Sequence, residues 1–522
     1  MKLIKPHWLF FLAVTLTYLS LSPGTVSDMG YMPENIEACG QIISNMGEWA
    51  TFQYASTRVS WPRHGLYELI LEIPFMLVGK AVIGSAPEEA SQMLSAQPVI
   101  FSSLLCTLLF VWVRRITGSL AWAFALGAAA AFSTMIWPYA YIGLETTQTL
   151  FLLVTAFIAI EWRERKSWKH VIALSVCAGL TLSLKSNGAF LGPAVAFLGY
   201  FYFKPEIESG LKAGRKSLLK PAVSALIVLT LYLLNSYLRS LSPVWHPGTL
   251  RMFLHSVTDG WVSFLFNIIS LFGSANKGFL IYSPIMILCL LALRKAFRSR
   301  PEIAAFACLT LLGLAAGCSL FYFWADETWG PRYLHSAVPP LVLVLAASRR
   351  GLPFRLRPEA PLAALALLGL FISFLGLAFH YGHVHKAALE TGQSTLENLQ
   401  TEPAWNPIRF NLMLLGVRAR AGKVAPDQPS NWPPEPHWWY GRPAEAPEQK
   451  AVDLRKFANP QPLVLRDPAG FTGAGERAVR IIYLNFLWMG PALLLVTWSS
   501  CRRGDEEMAA SRPRGKKADA AD

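Results

Sequence analysis

The sequence predicts an all-α polytopic membrane protein with about twelve transmembrane helices. Three observations carry this. Of 522 residues, 53% are hydrophobic and only 15% charged, where a soluble globular chain has roughly a quarter charged. Apolar runs approaching 20 residues recur along most of the chain, the length a helix needs to cross a bilayer. Basic clusters fall in every second loop, which is the positive-inside pattern of cytoplasmic loops. The net charge of +14 therefore reflects membrane topology, and no nucleic-acid partner is implied.

The first span is Trp8–Leu21, after Lys2 and Lys5. Its basic start and apolar core also fit a signal peptide, but the later segments keep a consistent orientation only if it stays as a helix. The N-terminus is then cytoplasmic and the loop 25–97 lies outside. Within that loop, Leu66–Ile83 is apolar but contains Glu68 and Glu72. A charge at the bilayer centre costs at least ~2.5 kcal/mol, so this piece reads as a helix at the outer interface or packed in protein.

Val99–Val113 returns to Arg114 and Arg115. Leu120–Ile136 exits, with Trp137, Tyr139 and Tyr141 as an outer aromatic belt. Leu144–Ile160 returns to Arg163, Arg165, Lys166 and Lys169, Val171–Leu184 exits, and Ala189–Phe203 returns to a loop with five basic residues, Lys204 to Lys220. Ala222–Leu238 exits, and Trp261–Phe272 reads as an interfacial helix. Phe279–Leu293, Ile303–Phe323, Leu334–Ala347 and Leu362–Phe379 complete the next four crossings. The final span is Ile481–Trp498, and the polar tail 501–522 is expected to be disordered and cytoplasmic.

Between the last two spans lies an external insert, 381–480, rich in Pro and Trp, as in SNWPPEPHWWYGRPAEAPEQ. Its aromatics either stack on sugar rings or sit at the headgroup level. The seven cysteines show no CxxC spacing, so neither a disulfide framework nor a zinc site is expected.

Topology sorts the ionisable residues. Cations at inner ends set orientation. Those at outer ends are the exceptions: Arg58, Arg63, Lys185, Arg251, Lys277 and Arg332, with His64 and His335 nearby. On the same side lie Asp28, Glu34, Glu37, Glu145, Asp326 and Glu327. Glu145, in YIGLETTQTLF, stands at the mouth of an apolar span, and Lys185, in LSLKSNGAF, is its basic counterpart. Ionisable groups at such depths face a cavity or a partner and mark function by default.

Such a cavity suits a lipid-linked sugar phosphate entering from the bilayer. A carboxylate would orient or deprotonate an acceptor hydroxyl, and lysine and arginine would hold the departing phosphate. No cofactor is called for; a divalent cation bridging carboxylate and phosphate is a variant. Two other classes stay open. One is a transporter or flippase for a lipid-linked or anionic substrate, against which stands the lack of an internal repeat. The other is a non-catalytic binder of lipid-linked sugars.

Three patches carry a family resemblance. They are SWPRHGLYELILEIPFMLVG, TMIWPYAYIGLETTQTLFLL, and SANKGFLIYSP followed by FYFWADETWGPRYLHSAVPPL. In order, orientation and spacing they resemble the GT-C superfamily of polyprenyl-phosphate-sugar glycosyltransferases, across roughly Met1–Ala347. The nearer likeness is to the bacterial protein O-mannosyltransferase-like and aminoarabinose-transferase-like branch. The resemblance implies a catalytic transmembrane domain over 1–380 in a bacterial inner membrane. It implies inverting transfer from a polyprenyl-phosphate sugar to a lipid, polysaccharide or protein outside the cytoplasm. By position it makes Asp28 the first-loop catalytic carboxylate, with Glu34 or Glu37 as alternatives, and Glu145 the second acid. Lys185 and Arg332 become phosphate contacts, and Arg63, His64, Tyr333 and Lys277 further substrate contacts. Gly330 and Pro331 set the turn that aims Arg332.

Overall fold

The computed structural model describes residues 5–21, 66–82, 93–94, 96–141, 144–213, 215–240, 261–320, 329–352, 359–379, 405–421 and 486–502, with 384, 387 and 505. The described residues are almost wholly helical and contain no strand. In chain order the main helices are α1 Pro6–Ser20, α2 Leu66–Val82, α3 Ala96–Thr117, α4 Leu120–Phe132, α5 Leu144–Glu161, α6 Trp168–Ser183 and α7 Gly192–Ala213. They continue as α8 Leu219–Ser240, α9 Trp261–Gly273, α10 Pro301–Ser319, α11 Val338–Ser348, α12 Ala360–Ala378 and α13 Pro407–Ala421.

Four of these, α3, α8, α10 and α12, are long and apolar enough to cross a membrane by length and composition. The other expected crossings differ in instructive ways. Phe279–Leu293 is not one helix. It is broken into Phe279–Tyr282, Met286–Leu291 and Leu293–Ser299. The first break is at Ser283, φ −142° and ψ 69°, because the following Pro284 disfavours the helical region for the residue before it. The expected Leu334–Ala347 starts its α-helix only at Val338, after a 3-10 turn over Arg332–Ala337. α7 runs to Ala213, ten residues past the expected end at Phe203, and passes through Pro205.

α11 is the centre of the fold. Every residue of VPPLVLVLAAS is buried, as expected of a helix apolar all round. α3 and α4 pack against it, and α1 packs on these two through Phe10, which stacks on Phe110 at 4.9 Å and meets Phe124 edge-on at 6.0 Å. At the end carrying the basic clusters, Glu161 of α5 ties neighbours together. It accepts from Trp112 Nε1 at 3.0 Å and Arg300 Nη2 at 2.7 Å, and pairs with Arg115 at 2.9 Å. Asp505 caps α4 from the far end of the chain, accepting from the Leu120 and Ala121 amides at 2.9 and 3.0 Å and from Ser119.

On the other flank, α8 leans on α6. Ser175 donates to Ser224 at 2.7 Å, and a Cβ at Gly179 would stand 2.6 Å from Leu231. α2 joins them: the Leu66 amide donates to Asn235 Oδ1 and Tyr67 Oη to the Leu231 carbonyl, both at 2.9 Å, and Glu72 is buried. α2 thus has one face packed on protein, including Glu72, while Ile70, Leu77, Val78 and Val82 are exposed.

A candidate anion site at the end of the bundle

Glu145 lies in the first turn of α5, where a negative charge favours the helix N-terminus. It is 2% exposed. Its Oε1 accepts from both Lys185 Nζ and Arg332 Nε, and its Oε2 is buried without a hydrogen-bond partner among the described residues. Residues 40 and 187 positions away thus converge on one oxygen.

Local sequence explains both cations' positions. Lys185 sits between α6 and the 3-10 turn Ser186–Leu191, with extended φ −140° and ψ 154°. Gly188 closes that turn by donating to the Lys185 carbonyl at 2.9 Å. A Cβ on Gly188 would meet the Leu182 carbonyl oxygen at 2.4 Å, so the turn needs glycine. Lys185 also lies 4.9 Å over the ring of half-buried Tyr333, a cation–π contact.

Arg332 opens the other turn. Ahead of it, Trp329 is anchored twice: Tyr139 Oη donates to its carbonyl at 2.8 Å, and its ring fills the space a Cβ on Gly376 would take. Gly330 then adopts φ +65°, the left-handed region, with the Tyr282 ring 2.8 Å from where a Cβ would stand. The Trp-Gly-Pro-Arg run is therefore a rigid turn that aims Arg332 at α5.

The structure brings together Glu145, Lys185, Arg332 and Tyr333 from the sequence-derived set. Lys277 is buried in the adjoining Ser274–Lys277 turn, whose Asn276 carbonyl accepts from Tyr282 at 2.7 Å. Asp28, Glu34, Glu37, Arg63 and His64 lie outside the described residues, as do Arg58, Arg251, Asp326 and Glu327. Sequence reasoning missed Thr149, Gln148 and Ser336. Thr149 bridges the backbone of Glu145 and the side chains of His335 and Ser336. Its signal was its place four residues after Glu145 on one helix face. No group of three His, Cys, Asp or Glu that can hold a metal occurs among the described residues.

Chemically, the trio is two cations side by side with a shared carboxylate between them. Glu145 acts as counter-ion and spacer, holding a guanidinium and an ammonium at one point. That arrangement suits an oxyanion with several acceptor atoms, such as a phosphate. Separately, α5 to α8 line an apolar cleft of about 530 Å³, whose walls run from Leu182 and Ala189, three and four residues from Lys185 in the chain, to Phe203 and Pro221; Glu145, Lys185 and Arg332 do not line it.

No protein-family profile and no curated protein matches the chain. Among solved structures, it is similar to ArnT from Cupriavidus metallidurans bound to undecaprenyl phosphate, at 14% identity and a TM-score of 0.44, covering 95% of this chain and 78% of that one. The apo state of ArnT gives 16% identity, a TM-score of 0.45 and 81% coverage of each chain. Arabinosyltransferase EmbB from Mycobacterium smegmatis gives 13% identity and a TM-score of 0.40, with 81% of this chain matched to 42% of that one. At such scores neither fold nor chemistry carries over from those proteins on likeness alone.

Proposed function

We propose that this protein is a membrane glycosyltransferase of the GT-C kind. It moves a sugar from a polyprenyl-phosphate donor to a lipid, polysaccharide or protein acceptor on the extracytoplasmic face, with inversion. The observation that carries this reading is the convergence of Lys185 and Arg332 on Glu145. A cationic pair in a bundle that also holds an apolar cleft between α5 and α8 fits an amphiphile with a phosphate head and an isoprenoid chain.

In this reading the acceptor oxygen attacks the anomeric carbon, and the bond from that carbon to the phosphate oxygen breaks. The acceptor's proton passes to a first-loop carboxylate, Asp28 by position or else Glu34 or Glu37. Lys185 and Arg332 stabilise the charge growing on the released polyprenyl phosphate. Tyr333 steadies Lys185, and Glu145 keeps both cations in place. Arg63, His64 and Lys277 are further candidate substrate contacts; were a divalent cation bound, the first-loop carboxylate would hold it and it would supply charge neutralisation to the departing phosphate.

The test is direct. The purified protein is given a panel of polyprenyl-phosphate sugars, and release of polyprenyl phosphate is followed. Lys185→Ala and Arg332→Ala should lower release by 10²-fold or more, roughly what loss of a preorganised charge contact costs. Undiminished release by both variants rejects the assignment.

A further inference from the structure

A second contact lies one helical step beyond the Glu145–Arg332 pair. Glu145 and Thr149 are four residues apart and share a face of α5. Arg332 and His335 are three apart in a 3-10 turn, where such side chains eclipse. The two faces meet in register: Arg332 reaches Glu145, and His335 Nδ1 lies 3.0 Å from Thr149 Oγ1. Ser336 Oγ lies 2.7 Å from the same Thr149 oxygen.

Counting hydrogens assigns a direction to these bonds. A threonine hydroxyl has one hydrogen and two lone pairs. Thr149 gives its hydrogen to the Glu145 backbone carbonyl at 2.6 Å. Toward His335 and Ser336 it can only accept, so Ser336 donates and His335 carries hydrogen on Nδ1. His335 Nε2 is then a bare acceptor, and it is fully buried with no partner among the described residues. An unpaired buried acceptor is unfavourable, and an apolar side chain at this position would not incur it.

We propose that His335 is a positioning residue: as the neutral, Nδ1-protonated tautomer it clasps the Arg332–Ala337 turn to Thr149 on α5, and so sets where the Arg332 guanidinium meets Glu145. The consequence for phosphate binding rests on the glycosyltransferase reading above; the tautomer and the clasp do not. The role is distinct from packing, because it depends on one hydrogen at one ring position. Asparagine places an N–H near the Nδ1 position, whereas leucine fills similar space and donates nothing.

The test has two arms. In the first, protein labelled with ¹⁵N at histidine is compared with a His335→Asn variant to assign the His335 signals. Nδ1 should resonate as protonated and Nε2 as a bare imidazole nitrogen, and the Thr149→Val variant should abolish that preference. A protonated Nε2 in the wild type overturns the proposal, whatever the enzyme's activity. In the second arm, undecaprenyl-phosphate affinity is measured for His335→Leu, His335→Asn and Thr149→Val. His335→Leu and Thr149→Val should weaken binding about tenfold or more, roughly what loss of one hydrogen bond to a charged group costs. His335→Asn should stay within about twofold of wild type. Equal affinities for the leucine variant and wild type overturn the positioning role. If the wild type binds no undecaprenyl phosphate, the glycosyltransferase reading fails and the tautomer arm still decides the clasp. Should His335→Leu not fold, Thr149→Val against His335→Asn gives the same comparison.

Discussion

The shared carboxylate at Glu145 makes a prediction about non-additivity. Glu145 is 2% exposed, and its hydrogen-bond and ion-pair partners in the structure are Lys185 and Arg332 at Oε1. Replacing Lys185 by Met leaves the carboxylate paired with Arg332, and Arg332→Met leaves it paired with Lys185. Each single change should cost about 1 kcal/mol, the usual size for one substitution. The double variant leaves a buried carboxylate with no cation, a situation worth about 3–5 kcal/mol. The excess of the double over the summed singles should then be about 1–3 kcal/mol. Adding Glu145→Gln to the double variant removes the stranded charge and should recover most of that excess. Unfolding of membrane proteins is often irreversible, so the measurement is a half-life at fixed temperature. A thiol-reactive dye follows it through the buried cysteines Cys106, Cys289 and Cys318. A loss of 3–5 kcal/mol appearing wholly in the unfolding rate shortens the half-life by roughly 2 × 10²- to 5 × 10³-fold. Additive half-lives, or a triple variant no longer-lived than the double, would refute the shared-carboxylate geometry.

Three further outcomes are expected. Gly330→Ala forces an L side chain into φ +65° and against the Tyr282 ring. It should cost at least ~1–2 kcal/mol and lower polyprenyl-phosphate release, read by thermal unfolding and the release assay together. Gly199 lines the apolar cleft, and a Cβ there would meet nothing within 4 Å. Gly199→Leu should therefore leave thermal stability unchanged or raise it, while, on the proposed glycosyltransferase reading, weakening binding of undecaprenyl phosphate; unchanged affinity would remove the cleft from the donor path. Asp505→Asn removes a charge from the α4 N-terminus and should destabilise by about 0.3–1 kcal/mol at low ionic strength, with the difference shrinking in high salt.

Much of this was legible in the sequence because ionisable groups are expensive among apolar ones. That single cost singles out Glu145 and Lys185, whereas Arg332 is one of several outer-end cations and is marked by the family resemblance. The same cost also sets the Leu66–Val82 helix apart from the other apolar runs, and Glu72 of that helix is buried in the structure. Helix interruptions were less legible. Hydropathy alone joins Phe279 to Leu293, because it does not register that Pro284 restricts its neighbour, and the chain breaks at Ser283.

Sequence by itself determined which residues cannot rest in lipid unaccompanied, and where α-helices carry the chain through apolar surroundings. Only the tertiary structure decided who accompanies whom. Lys185 and Arg332 meet on one oxygen of Glu145 because two glycine-dependent turns, at Gly188 and Gly330, bring distant segments to the first turn of α5. Likewise Thr149 finds His335 through the match of a four-residue helical step with a three-residue 3-10 step. Hydropathy and charge act locally along the chain, whereas hydrogen-bond geometry depends on how whole helices pack, and no spacing within one segment encodes it.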